Sequence, residues 1–545
     1  MFVNLKVPVF PKKILLPAAL SVLVLAALFP VLNNGFVNYD DPQYVLSNPA
    51  LRGSWVEALA FSPGYYHPLV TLTYKAEFSL FGLAPLPYHI TSLALHLACC
   101  LSVFYLFSML GWRRWPAFLG ALLFGVHPAH VESVAWISGR KELLWGLFSF
   151  WTLGSYLKFI DTGKNRFFIL SLFCFILAVL SKPFALMLAF ALPLADHYRG
   201  RAFSATLLLE KAPFVLAGFS LFLLSWVPSG FLLNSGSGFY LLFIYAAGGL
   251  KSLLFYAGKL ALPASLSAMY PPLSLPAVSA GWLFLFFAAA AALYGAWRIL
   301  RGQKDEALTK AVVFCLGFFL ITIFPALLVV PPADRYSYVP AAGLFFLYSF
   351  LVQRVYEGLV RRRAEASAAD VKGGRPRLFS SGRVLIALVA VHCVVLGAAS
   401  FKRAAVWKDS FSMSDDVLKK YPRVAAAYSI RAGAHRAAGR YPEAIKDFDR
   451  CLELRPNDWE ALGNRARTLL DMKEFDRAIA DCSAAILYNP GSAQMFLHRG
   501  IAYFLKGNYS AALKDYDRAL AISPQLPAAV ENKRVVLQKL EQRRG

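Results

Sequence analysis

The sequence predicts an all-α protein in two parts: a polytopic membrane helix bundle over residues 1–403, then an α-solenoid of short helical repeats over 404–545. Three observations lead there. Long apolar runs fill residues 14–401, basic clusters recur between them, and beyond Arg403 a 34-residue period begins. Composition agrees, with 58% hydrophobic and 16% charged residues, against roughly 45–50% and about 25% in soluble domains. This excludes a single soluble enzyme, and equally a disordered chain, which needs few apolar residues and dense charge. The net charge of +24 would suggest nucleic acid in a soluble protein. Here the basic residues follow membrane topology, and no nucleic-acid partner is expected. The seven cysteines show no metal-ligand spacing, and five lie in apolar segments, so no disulfide framework is expected.

The clear spans are 14–32, 87–110, 143–157, 212–230, 280–297, 311–330, 336–353 and 384–401. Most are long enough to cross about 30 Å of hydrocarbon as a helix. Three shorter runs, 116–127, 167–180 and 183–197, fit short or tilted helices packed within a bundle. The first run follows Lys12-Lys13 as in a signal peptide, but no small-x-small cleavage site follows Leu32, so it reads as an uncleaved first helix. Basic clusters at Lys12-Lys13, Arg113-Arg114, Lys158 to Arg166, Arg199/Arg201, Arg298 to Lys310 and Arg354 to Arg383 are placed in the cytoplasm by the positive-inside rule. Two passes must separate neighbouring clusters. The run 239–262, with Lys251, Lys259 and Gly248-Gly249, therefore reads as an interfacial or re-entrant helix. The result is about eleven spans, with the N-terminus inside and the C-terminus outside. The outward loops are 33–86, 128–142, 231–279 and 331–335.

In the C-terminal part, Tyr441, Phe475 and Tyr509 are 34 residues apart, as are Ala444, Ala478 and Ala512, and Pro456, Pro490 and Pro524. Gly439 and Gly507 stand two residues before their aromatics, with Lys473 in the equivalent middle place. This is the tetratricopeptide pattern of paired antiparallel helices. The small Ala admits close helix approach, the aromatic packs on the next helix and Pro ends the unit. Residues 404–422 read as a half repeat, about 423–524 as three full repeats and 527–543 as a capping helix. Such a groove suits an extended peptide or a partner protein.

Candidate chemistry clusters in the outward loops. Asp40 and Asp41 follow the first span. They read either as an exposed acidic turn, as a base taking a proton from an acceptor hydroxyl, or as ligands for a divalent metal at a diphosphate leaving group. His127-Pro128-Ala129-His130-Val131-Glu132 lacks helical HExxH spacing, so hydrogen bonding to a polar substrate is preferred over metal. Arg140 and Lys141 lie outside against the charge rule and fit either phosphate or lipid headgroups. Lys182 in Ser181-Lys182-Pro183, Lys251 and Lys259 eight apart on one face, and Arg335 before Tyr336 carry the same two readings. Together they give an anionic lipid-linked substrate a positive rim beside a carboxylate. His89 and His96, seven apart, read as buried hydrogen-bonding groups of the bundle.

Tyr39-Asp40-Asp41, Tyr66-His67-Pro68-Leu69, the stretch His127 to Ala135, Gly139-Arg140-Lys141-Glu142-Leu143 and Arg335-Tyr336-Ser337-Tyr338-Val339-Pro340 resemble the transmembrane and tetratricopeptide-repeat O-mannosyltransferase family and its bacterial relatives, over nearly the whole chain. The resemblance implies a GT-C glycosyltransferase fold. It implies transfer, with inversion, of a sugar from a polyprenyl-phosphate carrier to a hydroxyl on the outer side, without a metal or other cofactor. It implies Asp40, in preference to Asp41, as base. His67, His127, His130, Glu132, Arg140, Lys182, Arg335 and Tyr336 would bind donor or acceptor, with the phosphate met by some of Arg140, Lys182 and Arg335. The expected partners are membrane lipid, the lipid-linked donor, and an acceptor protein or glycan held by the repeats. The expected location is a bacterial inner membrane, with periplasmic repeats and no retention signal at Gln542 to Gly545. The rival reading is a membrane scaffold or polymer-export component recruiting partners through its repeats. A transporter would place ionisable residues near mid-membrane, where the clear spans have almost none.

Overall fold

The computed structural model describes residues 12–59, 66–111, 113–226, 238–271, 305–328, 331–369 and 381–542, and among these there is no strand. The chain divides into one unit of Met1–Ala268 with Pro272–Asp409 and a second of Met269–Pro271 with Ser410–Gly545.

In the first unit the apolar runs become helices. Six helices among the described residues are long and apolar enough to cross a bilayer: Leu15–Asn33, Pro85–Met109, Ile137–Thr162, Ala205–Leu224, Glu306–Leu327 and Gly382–Trp407. A bent pair, Arg114–Val126 with Pro128–Ala135, adds a seventh if read as one span. The short runs form Asn165–Ser181 and Met187–Tyr198, and 336–353 forms Ala341–Ala369. The Gly238–Ala261 run is one uninterrupted helix through its glycine pair, and Lys259 Nζ caps its end on Ala264 O at 2.6 Å. The predicted span 280–297 lies outside the described residues.

Two segments read as outer loops are structured. Within 33–86, Pro68–Phe81 is a helix. It is pinned by Tyr74 Oη donating to Ile137 O at 2.6 Å and Lys75 Nζ donating to Leu51 O at 2.8 Å. The segment 128–142 is buried throughout. Pro128 forces His127 into extended backbone (ψ 128°) and bends the pair by 51°. His127 Nδ1 then accepts from Ala129 N at 3.2 Å. A 3-10 turn, the helix Val131–Ala135 and another 3-10 turn lead into the helix Arg140–Thr162.

The second unit has three helix pairs, Ala425–Ala437 with Tyr441–Leu454, Trp459–Asp471 with Phe475–Tyr488, and Ala493–Leu505 with Tyr509–Ile522. Ser410–Lys420 leads in and Pro527–Gln542 follows. Ala444, Ala478 and Ala512 are fully buried. A charge ladder shares the period: Arg431, Arg465 and Arg499 each hold the aspartate sixteen residues on (Asp447, Asp481, Asp515) at 2.7–2.9 Å, and Arg431 and Arg465 also hold Asp415 and Asp449 sixteen residues back. Gly439, Lys473 and Gly507 all take left-handed backbone, at φ 71°, 63° and 80°. A lysine there costs about 1–2 kcal/mol relative to right-handed backbone. Lys473→Gly is expected to stabilise the repeats by about 0.5–1 kcal/mol, after the extra chain entropy of glycine is subtracted. An unchanged or lowered thermal midpoint would count against this account.

Candidate active site

Asp40 and Asp41 are neighbours with different environments. Asp41 is fully buried. Its Oδ2 accepts from Val37 N at 2.8 Å, and its Oδ1 accepts from Ser138 N at 3.0 Å and Ser138 Oγ at 2.5 Å. It thereby ties the 33–46 segment to the turn before Arg140. Burial pushes its carboxyl up to about 6, against the pull of those three donors. The Asp40 side chain keeps 27% exposure, with Oδ2 3.9 Å from Lys141 Nζ.

From Lys141 a row of cations runs on through shared aromatic rings. Lys141 Nζ lies 4.7 Å from the Tyr44 ring and 5.5 Å from that of Trp136. The Trp136 ring also meets Arg335, at 5.2 Å, which covers the Tyr336 ring at 4.8 Å as well. Lys182 meets the same Tyr336 ring at 4.7 Å, together with Phe184 and Trp145 at 4.5 and 5.0 Å. Two of the cations have buried acids behind them. Arg335 Nη1 donates to Glu132 Oε1 at 2.5 Å and its backbone N to Glu132 Oε2 at 3.1 Å. Lys182 Nζ donates to Glu142 Oε1 at 2.6 Å. Trp136 is held by stacking on Tyr39 at 5.1 Å and Trp407 at 5.7 Å.

Local sequence sets these directions. Pro183 holds Lys182 in extended backbone (φ −159°), which breaks the helix and frees the side chain from it. Burial lowers the Lys182 ammonium to about 8, with Lys141 and Arg335 adding to the fall and Glu142 opposing it. His67 packs on the Tyr44 ring at 6.3 Å. Burial, then Lys141 and Lys182, push its imidazole down to about 3, so it is neutral at pH 7. The Tyr39 hydroxyl is raised, chiefly by burial, and feels Arg335, Asp40, Glu132 and Tyr336 together.

The structure therefore brings Asp40, His67, Glu132, Lys182, Arg335 and Tyr336 to one place, with Asp41 behind as an anchor. Three other residues singled out in the sequence lie elsewhere. Arg140 is buried against Glu77, donates to Tyr88 O at 2.8 Å and covers the Tyr74 ring at 4.6 Å. Its guanidinium is thus committed to holding the Pro68–Phe81 helix and is not presented to a phosphate. His127 Nε2 meets Leu260 O at 3.1 Å and His130 Nδ1 meets Phe124 O at 2.7 Å. Both brace the bend, and His130 packs against Tyr338 at 4.9 Å. Three pocket residues were not assigned these roles from the sequence: Lys141 as the partner of Asp40, Trp136 as the spacer between cations, and Glu142 as the partner of Lys182. Lys141 was read only as an outward cation for a phosphate or headgroup and Glu142 only as part of the Gly139–Leu143 stretch, while Trp136 carried no signal of its own. Among the described residues no three His, Cys, Asp or Glu side chains converge as a metal site.

These features define a multi-pass membrane protein with tetratricopeptide repeats and a charged pocket in its membrane unit. Family models described as tetratricopeptide repeat match residues 425–458 and 464–527. The chain is similar to animal proteins named protein O-mannosyl-transferase. It is 24% identical over 533 residues to the Drosophila melanogaster protein O-mannosyl-transferase Tmtc3, covering 80% of this chain and 54% of that protein. It is 32% identical over 139 residues to Drosophila Tmtc1 (23% of this chain, 16% of that protein) and 30% identical over 191 residues to Caenorhabditis elegans F38B6.6 (31% and 26%). The chain thus spans between a sixth and about half of the length of these relatives. Among solved structures, the first tetratricopeptide-repeat domain of Spaghetti (RPAP3) bound to an HSP90 peptide is 27% identical over 22% of this chain and 93% of that one, with a TM-score of 0.21.

Proposed function

We propose that the protein is an inverting membrane glycosyltransferase that moves a sugar, mannose by analogy with its relatives, from a polyprenyl-phosphate carrier to a hydroxyl of an acceptor protein. The observation that carries this is the partly exposed Asp40 carboxylate at one end of the Lys141–Arg335–Lys182 row. Asp40 takes the proton of the acceptor hydroxyl. Its oxygen attacks the anomeric carbon from the face opposite the phosphate, the carbon–phosphate-oxygen bond breaks, and the departing phosphate is held by Lys182, Lys141 and Arg335. Buried Glu132 and Glu142 fix two of these cations before substrate arrives, so little reorganisation accompanies charge development. The repeats hold the acceptor and raise its local concentration. Transfer of mannose from synthetic polyprenyl-phosphate-mannose to a Ser/Thr-containing protein by the purified chain tests the reading. A scaffold would bind partners equally well without Asp40 and would release no polyprenyl phosphate.

This reading carries a pH signature. Lys182 is charged below about 8 and neutral above it, so its hold on the phosphate is lost as pH rises. Transfer is expected to fall through an alkaline limb near pH 8. Lys182→Arg, which stays charged, is expected to move that limb upward by more than one pH unit. An unshifted limb would remove Lys182 from phosphate binding.

A further inference from the structure

Two cavities meet at the end of the bundle away from Asp40. The larger is a cleft of about 1100 Å³ among the helices Lys12–Leu28, Arg114–Val126, Ala341–Ala369 and Ser381–Ala404. Its wall on the last helix is the row Leu385, Val389, Cys393, Gly397 and Phe401, at four-residue steps that wind slowly around the helix. Flanking Ile386 and Val394, which also line the cleft, remain 56% and 70% exposed, so among the described residues this face of the helix is not covered. The smaller cavity, about 390 Å³, shares Arg113, Gln353 and Glu357 with the cleft and adds Lys310 and Arg354. An apolar cleft thus opens directly into a chamber with three cations and one acid in its wall. Glu357 lies sixteen residues along the helix from Ala341, about 24 Å at 1.5 Å per residue, while Arg335 and Tyr336 of the charged pocket just precede that helix. The chamber and the Asp40 pocket are therefore close to a hydrocarbon thickness apart.

The ion pairs around the chamber are solvent-exposed. Arg113 is 3.7 Å from Glu357 with its side chain 80% exposed. Arg354 pairs with Asp305, and Lys310 with Glu306, at 2.8 and 2.6 Å, where those acids are 38% and 79% exposed. Such pairs contribute about 0–1 kcal/mol and exchange readily for a phosphate. The cleft exceeds the roughly 300–1,000 Å³ usual for a small-molecule site, and its walls suit hydrocarbon.

We propose that these joined cavities bind an anionic phospholipid of the leaflet remote from the Asp40 pocket. Its phosphate sits among Arg113, Lys310 and Arg354, and its acyl chains fill the cleft. The charge chooses the headgroup, since a basic pocket between membrane helices attracts an anionic one. The lipid joins the sparsely packed Ser381–Ala404 helix to the rest of the bundle.

The test uses the full chain purified in detergent. Native mass spectrometry identifies the retained lipid, and thermal unfolding is followed with added phosphatidylglycerol or with phosphatidylcholine of the same acyl chains. Retained phosphatidylglycerol and a midpoint raised several degrees more by it than by phosphatidylcholine are expected. In Arg113→Gln/Arg354→Gln the two lipids should become equivalent, and in Ala390→Phe, which fills the cleft, neither should shift the midpoint. Equal shifts in the unmodified protein, or a phosphatidylglycerol preference surviving in the double arginine variant, would overturn the proposal. So would retention of a polyprenyl phosphate in place of phospholipid. If Ala390→Phe fails to fold, the double arginine variant decides alone, because its two side chains are exposed.

Discussion

Asp40→Asn is expected to leave a folded protein whose transfer rate is lower by about 10²–10⁴-fold, the span a positioned general base contributes. Asparagine keeps the size of the side chain and cannot take the proton. The ion pair with Lys141 that this change removes is 3.9 Å long and partly exposed, worth under about 1 kcal/mol, so thermal unfolding should barely move. The adjacent Asp41→Ala behaves oppositely. It strands the buried N–H groups of Val37 and Ser138 and the Ser138 hydroxyl, each at a cost of about 1–3 kcal/mol. Its signature is a large drop in the unfolding midpoint, with activity lost as the 33–46 segment loosens. Full transfer in Asp40→Asn, or a rate loss in that variant that only tracks its stability, would remove Asp40 as base.

That contrast was not legible in the chain, where the two aspartates are adjacent and alike. What separates them is Ser138, 97 residues away. Lys141 poses the same difficulty. It follows Arg140 directly, yet successive residues on a helix point about 100° apart, so one meets Glu77 and the other Asp40. The Pro68–Phe81 helix was not legible either, because its pattern is inverted. Lys75 and Glu77 are buried, at 6% exposure each, while Leu80 and Phe81 are exposed, so no apolar stripe marks the inner face. The membrane helices were legible because a bilayer demands long apolar runs regardless of context. The repeats were legible because one set of packing positions recurs every 34 residues. The same period carries Arg431, Arg465 and Arg499 with Asp447, Asp481 and Asp515, a ladder the aromatic, alanine and proline positions did not require. Where interactions are local or periodic, sequence suffices; where two distant loops must meet, it offers candidates without partners.

The Arg335–Glu132 pair separates holding the fold from holding the substrate. Arg335 is 10% and Glu132 1% exposed at the side chain, so losing either partner leaves the other charged and buried. Glu132→Gln or Arg335→Gln alone is expected to destabilise by about 3–5 kcal/mol. Glu132→Gln/Arg335→Gln removes both charges together and should cost clearly less than the sum of the single changes. Thermal unfolding of the four proteins closes the cycle, and simple additivity would mean that the pair is not coupled. Activity resolves the second question. If Arg335 also meets the departing phosphate, the double variant regains stability without regaining transfer, because its pocket lacks a cation. If transfer returns with stability, Arg335 only braces the turn before Ala341, and the phosphate is left to Lys141 and Lys182.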